Sequence, residues 1–271
     1  MEDAGGARDA TRAAVSVYDP SAPVRYPAAQ LSPRPWRRLR TFAAVCVGLC
    51  PLMPAQAGLT TTALARFTTN YLYHGYTKSD DHPAVQAHAG VTHGSGVYGG
   101  LWLTQVDFGG AQLEAIPYLG AQTTLAGDWR FDAVLSGYVY EAEVFGRNAD
   151  YFETSASVDW RGLLSARLSV AADSYGSGHV TAAGEVKGRY PLSDVVDFTC
   201  GAGFDNLAAV TTYDVVYWNV GLSYFLGAHV VVDLRYADNA YINEVHSGDA
   251  EEHFARAEVG GRALLSISVG F

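Results

Sequence analysis

The chain has 271 residues, with 18 Lys+Arg against 28 Asp+Glu and a formal net charge of −10. That acidic balance excludes a nucleic-acid surface, which needs clustered Lys/Arg facing phosphates. Only 17% of residues are charged, below the roughly 25% of soluble domains, yet the mean hydropathy of +0.03 excludes a bundle of membrane-spanning helices.

The first 57 residues read as a separate object. They hold seven Arg and four acids, whereas 58–271 hold 11 bases and 24 acids. Arg34, Arg37, Arg38 and Arg40 precede an apolar run from Phe42 to Met53, followed by Ala55-Gln56-Ala57. A positive segment, a short apolar core and an A-x-A site predict a secretory signal peptide cleaved after Ala57. A buried core helix is the alternative. The apolar run is too short to span a bilayer, which takes about 20 residues. Residues 1–33 exceed an ordinary basic leader, so translation is expected to start downstream of Met1. Leu49 and Val45 stand before Cys50 and Cys46 where lipidation wants a small residue. The mature chain then keeps only Cys200, so no internal disulfide is expected.

From residue 58 the pattern alternates with period 2, as strands with one apolar face do. Twelve strands are expected near 59–75, 83–93, 97–108, 113–125, 129–143, 150–160, 163–175, 179–191, 195–207, 211–225, 229–241 and 250–271. Phe152, Ala156, Val158 and Trp160 oppose Glu153, Ser155, Ser157 and Asp159. Val216, Trp218, Val220, Leu222 and Tyr224 oppose Tyr217, Asn219, Gly221 and Ser223. The last strand sets Leu265, Ile267, Val269 and Phe271 against Leu264, Ser266, Ser268 and Gly270. The third and fourth strands are the weakest, and Pro117 inside the fourth removes a ladder donor. The fold class expected is all-β: a transmembrane antiparallel up-and-down barrel of about twelve strands behind the cleaved signal, with domains 1–57 and 58–271.

Connections near 93–96, 126–128, 161–162, 191–194 and 226–228 are short, and those near 76–82, 144–149 and 241–249 are longer. Short periplasmic turns and long outer loops are the barrel asymmetry. Trp129, Trp160, Tyr190 and Phe271, with Phe225, should form a periplasmic aromatic girdle. Tyr71, Tyr73, Phe108, Phe152, Phe204, Tyr213 and Tyr236 should mark the other interface.

Parity puts a charged set inward: Arg66, His88, Glu114, Arg130, Asp132, Glu153, Asp159, Arg167, Glu185, Lys187, Arg189, Asp197, Asp233, Arg235, Arg256, Glu258 and Arg262. Such a lumen either conducts or closes by pairing across itself. Asp80, Asp81, Glu141, Glu143, Asp150, Glu244, Asp249, Glu251 and Glu252 make an acidic outer rim, from which a weak cation preference is expected. A solvated rim without function explains the same acids. His93-x-Ser95 has the spacing of a hydrolase pair, but Gly94 and Gly96 mark a tight turn at the wrong rim, so no enzyme is expected. Metal-ligand spacings and a phosphate loop are missing, so neither metal nor cofactor is expected.

Asn70-Tyr-Leu-Tyr-His-Gly-Tyr-Thr-Lys-Ser-Asp-Asp81, Pro83-Ala-Val-Gln-Ala87 and His93-Gly-Ser-Gly-Val-Tyr-Gly-Gly100 resemble the TorF family of proteobacterial outer-membrane proteins. The match is clearest over 66–108, and His74 stands where an Arg is common. The resemblance implies a porin of the Gram-negative outer membrane. Its expected partners are lipid, lipopolysaccharide and the barrel-assembly machinery, engaged through the strand ending in Phe271. Passage of small polar solutes or ions is the expected activity, and a closed scaffold barrel or, less readily, an envelope lipid hydrolase are the alternatives.

Overall fold

The computed structural model describes residues 58–243 and 260–271. Among them twelve long strands form one closed antiparallel barrel: β1 (Leu59–Thr68), β4 (Ala84–His93), β5 (Val97–Phe108), β6 (Ala111–Thr124), β7 (Trp129–Tyr140), β8 (Tyr151–Trp160), β9 (Leu164–Ala171), β10 (Thr181–Pro191), β11 (Val196–Asn206), β12 (Asp214–Leu226), β13 (Val230–Ile242) and β14 (Arg262–Gly270). A small hairpin, β2 (Leu72–Tyr73) and β3 (Tyr76–Thr77), pairs only with itself. The barrel closes where β1 meets β14, with Phe67 opposite Ile267. Beyond the last strand residue, the Phe271 amide donates to the Ala63 carbonyl at 2.9 Å. Closure pairs the first wall strand with the last, so the barrel has no free edge strand.

Side chains sort by parity, and the sorting is inverted relative to a water-soluble protein. Phe152, Leu168, Leu119 and Leu234 are 69%, 70%, 61% and 59% exposed on the outer wall, while Gln86, Thr104, Glu114 and Asp197 are buried inside. A shift of one residue would exchange these two sets. It would set charges on the apolar wall, at about 2–4 kcal/mol for each Arg or Lys at a bilayer midplane. The register is therefore held by polarity as well as by hydrogen bonds.

The expected strands lie within a few residues of the observed ones, with two differences. The first strand was expected to reach residue 75, but β1 stops at Thr68 and the chain turns into the barrel. The twelfth was expected from residue 250; its described part begins at Arg262, and 244–259 lie outside the described residues. The expected leader, 1–57, also lies outside them. Pro117 is accommodated by a gap: the β6–β7 ladder pairs Ala115 with Val139 and Tyr118 with Ser136, and nothing between. On its other side Pro117 stays in register with Leu101.

The connections define two rims. Turns at 94–96, 125–128, 161–163, 192–195 and 227–229 form a short rim. The opposite rim carries 69–83, 141–150, 172–180 and 207–213, together with the tight Gly109-Gly110 turn. That pair has φ of 61° and 110°, the left-handed geometry of a two-residue hairpin turn.

Candidate functional site in the barrel interior

The half of the interior nearest the short rim holds a cavity of about 490 Å³. Its wall includes Arg66, Arg130, Asp159, Glu185, Lys187, Arg189, Asp233 and Arg235, and the segment 70–75 ends it. Several of the interior charges pair along the wall. Lys187 meets Glu185 at 2.7 Å and Arg235 meets Asp233 at 3.1 Å, each within one strand. Arg189 reaches Asp197 at 3.0 Å and Arg167 reaches Glu153 at 3.4 Å, each between adjacent strands. Arg66 donates to Ser268 at 2.8 Å across the closure seam.

The other half is filled. After Thr68 the chain folds inward, and Tyr71, Tyr73, Tyr76 and Lys78 become buried inside the barrel. Tyr71, Tyr73 and Phe108 were expected on the outer wall; they face the interior, because the chain has left the wall before it could carry the first two outward. Tyr73 donates to Glu153 at 3.1 Å, and His74 contacts Asp205 at 2.7 Å. The Tyr76 hydroxyl lies 2.5 Å from that of Tyr175, which enters from the 172–180 connection.

At the centre of this packing stands Lys78, fully buried. Its ammonium donates to Glu114 at 2.5 Å and to Tyr140 at 2.9 Å. It also sits 4.2 Å from the Tyr73 ring centroid, 5.1 Å from Tyr138, 5.5 Å from both Tyr140 and Tyr175, and 5.8 Å from Phe108. Glu114 accepts further bonds from Tyr71 at 3.0 Å and Tyr140 at 2.8 Å. Burial draws the Lys78 pKa down, but Glu114 and Tyr175 outweigh it and leave the value raised, so the amine stays charged. Lys78, Tyr138, Tyr140 and Tyr175 were not singled out from sequence. The one available signal was a lysine inside an aromatic run, Tyr71 to Lys78.

The remaining expected positions fall as follows. Asp132 faces inward and accepts from Tyr98 at 2.8 Å. Asp159 accepts from the Gly162 amide at 2.9 Å, which fixes a turn. Arg256, Glu258, Glu244, Asp249, Glu251 and Glu252 lie outside the described residues. Asp80, Asp81, Glu141, Glu143 and Asp150 are exposed at the long rim. Glu141 accepts from the Leu113 amide at 2.6 Å and Asp150 from the Tyr140 amide at 2.9 Å. Asp81 joins Arg262 at 2.5 Å and also accepts from Asn70, so a rim acid and a lumen base meet. The Arg262 bond holds the Asp81 carboxyl below the usual carboxylate range. Asp80, His82 and Asp107 converge within 4.8 Å, but all three are exposed, so water competes for any ion there.

Trp129, Tyr190 and Phe271 are exposed on the outer wall at the short rim, and half-buried Trp160 lies opposite Trp129. Phe225 departs from the expected girdle: it faces inward against Val231. His93 Nδ1 lies 2.8 Å from Ser95 Oγ and 3.1 Å from the Ser95 amide. Both contacts close the turn.

A family model described as a bacterial protein of unknown function (Gcw_chp) matches residues 53–259. No curated protein matches. Among solved structures, KdgM porin is 8% identical and covers 78% of this chain and 99% of its own, with a TM-score of 0.49. NanC porin is 9% identical over 78% and 99%, TM-score 0.47. An outer membrane channel from Pseudomonas putida F1 is 10% identical over 80% and 97%, TM-score 0.46.

Proposed function

We propose that this chain, which belongs to the Gcw_chp family of bacterial proteins of unknown function, is an outer-membrane barrel that passes small polar solutes or ions through its interior. One observation carries the reading: a charged cavity of about 490 Å³ lies inside a closed barrel whose outer wall is apolar. Only a closed barrel satisfies its backbone groups in lipid without helices. A polar interior behind an apolar wall has no use in a protein surrounded by water alone. The short rim faces the periplasm and the long rim faces outward. The likeness of residues 66–108 to the TorF porins supports the same location.

The conducting form needs the segment 69–83 to leave the outer half. Glu114 and Asp205 then face the lumen without Lys78 and His74 beside them, and Glu153 loses Tyr73 while keeping Arg167. Selectivity follows charge at the narrowest, least screened point, so a weak cation preference is expected even though the inner cavity is rich in Arg. Reversal potentials in a KCl gradient check this. Cation preference that falls toward zero in Glu153→Gln supports the reading; anion preference assigns selectivity to the cavity and overturns it.

One observation favours a second reading. The outer half is packed shut, as in a barrel that only scaffolds the membrane. Absence of stepwise conductance in every variant that frees the segment would establish that reading.

A further inference from the structure

We propose that the outer half of the interior is a binding site for organic ammonium solutes, occupied in this structure by the chain's own Lys78. The inference rests on reading the interior as a solute path, and it names a solute class for that path.

The geometry is that of a cation receptor. Five aromatic rings surround the Lys78 ammonium with centroids between 4.2 and 5.8 Å away. A cation within about 6 Å of a ring centroid is attracted by the ring quadrupole, and such cages are how proteins recognise quaternary ammonium groups. Glu114 supplies the counter-charge at 2.5 Å. The rings come from four separate parts of the chain: Tyr73 from the inserted segment, Phe108 from β5, Tyr138 and Tyr140 from β7, and Tyr175 from the 172–180 connection.

The cage does not depend on Lys78 to satisfy its acid. Glu114 accepts from Tyr71 at 3.0 Å and from Tyr140 at 2.8 Å as well. A buried ion pair adds little stability over apolar packing of the same shape, so filling the barrel is a poor reason to bury a lysine here. The backbone around it is strained too. Tyr175 has φ of 54°, and His74, Asp80 and Asp81 have φ of 46°, 50° and 57°. Aromatic and other non-glycine residues held in the left-handed region cluster where a structure is poised between two states. Lys78 is thus a tethered ligand on a strained strap. A free ammonium solute held by Glu114 and the four rings that lie off the strap, Phe108, Tyr138, Tyr140 and Tyr175, releases the strap together with Tyr71 and Tyr73 and clears the outer half. Acids at the long rim, Glu143 and Asp80 among them, favour cations at the entrance.

The test is calorimetric titration of the full barrel in detergent with tetramethylammonium chloride, with sodium chloride as the control. A tethered lysine competes at millimolar effective concentration or above, so Lys78→Ala should bind tetramethylammonium at least about tenfold more tightly than the wild type. Lys78→Ala/Glu114→Gln should lose that gain. Equal binding by Lys78→Ala and wild type, or equal binding of sodium, overturns the proposal. Heat-modifiable migration reports whether the variant folds. If it does not, the wild type carries the test. Tetramethylammonium, but not sodium at equal ionic strength, should raise proteolytic cleavage within 69–83 several-fold, and an unchanged rate overturns the proposal. Ammonium binding without conductance would fail the solute-path reading alone, and conductance without ammonium binding would fail the cage alone.

Discussion

Asp81 ties the end of the inserted segment to the last strand of the barrel wall. Its carboxylate joins Arg262 on β14 and Asn70 at the start of the segment. The Arg262 bond is the main reason its folded pKa lies below the ordinary value. A lowered carboxylate stabilises the folded form above the ordinary value of about 4 and loses that contribution as pH falls through the lower folded value. Acid should therefore loosen the segment. Protease cleavage within 69–83 is expected to rise below about pH 4, and Asp81→Asn should show the raised rate already at neutral pH, with no further step on acidification. A full acid step retained in Asp81→Asn would assign the release to another group. At this scale the sequence was only partly legible. Alternation gave the facing of Asp132, Arg189 and Asp233, because a strand residue has two faces to choose from. It could not give Lys78 its partners, because Glu114, Tyr140 and Tyr175 reach it from 36 to 97 positions away.

On the proposed function, the element that controls the path is the strap from 69 to 83. Its strand-like spelling, Tyr71 and Tyr73 in alternation, extends the pattern of β1, so local sequence continues the wall. The fold instead spends those rings inside, where hydroxyls find Glu114 and Glu153. Gly75 permits the turn: its φ is +87°, and a Cβ there would collide with the Tyr217 Cβ. Gly75→Ala should push the β2–β3 hairpin off the wall while leaving the twelve barrel strands intact. The expected result is a heat-modifiable barrel with faster cleavage inside 69–83; loss of the folded band would show that the strap is needed for the barrel itself. The wall strands were legible because each needs only its own parity and a turn signal at each end. Pro117 looked like a fault in one of them, yet the ladder tolerates it with a local gap.

At the scale of the molecule, the low charge fraction and near-zero hydropathy of the sequence now have separate addresses. The apolar half of the alternation faces outward, and the charged half divides along the axis. Arg66, Arg130, Lys187, Arg189 and Arg235 outnumber Asp159, Glu185 and Asp233 around the inner cavity, whereas Glu114, Glu153 and Asp205 stand in the outer half against the strap. The sequence could count these charges but not their heights, since height depends on how adjacent strands are staggered. A solute path closed at one end by its own first loop is the account this division supports. Single-channel recording in planar bilayers tests it most directly. The wild type should conduct rarely and Gly75→Ala should conduct in frequent, larger steps; a Gly75→Ala barrel with a cleavable strap and no conductance would contradict the account.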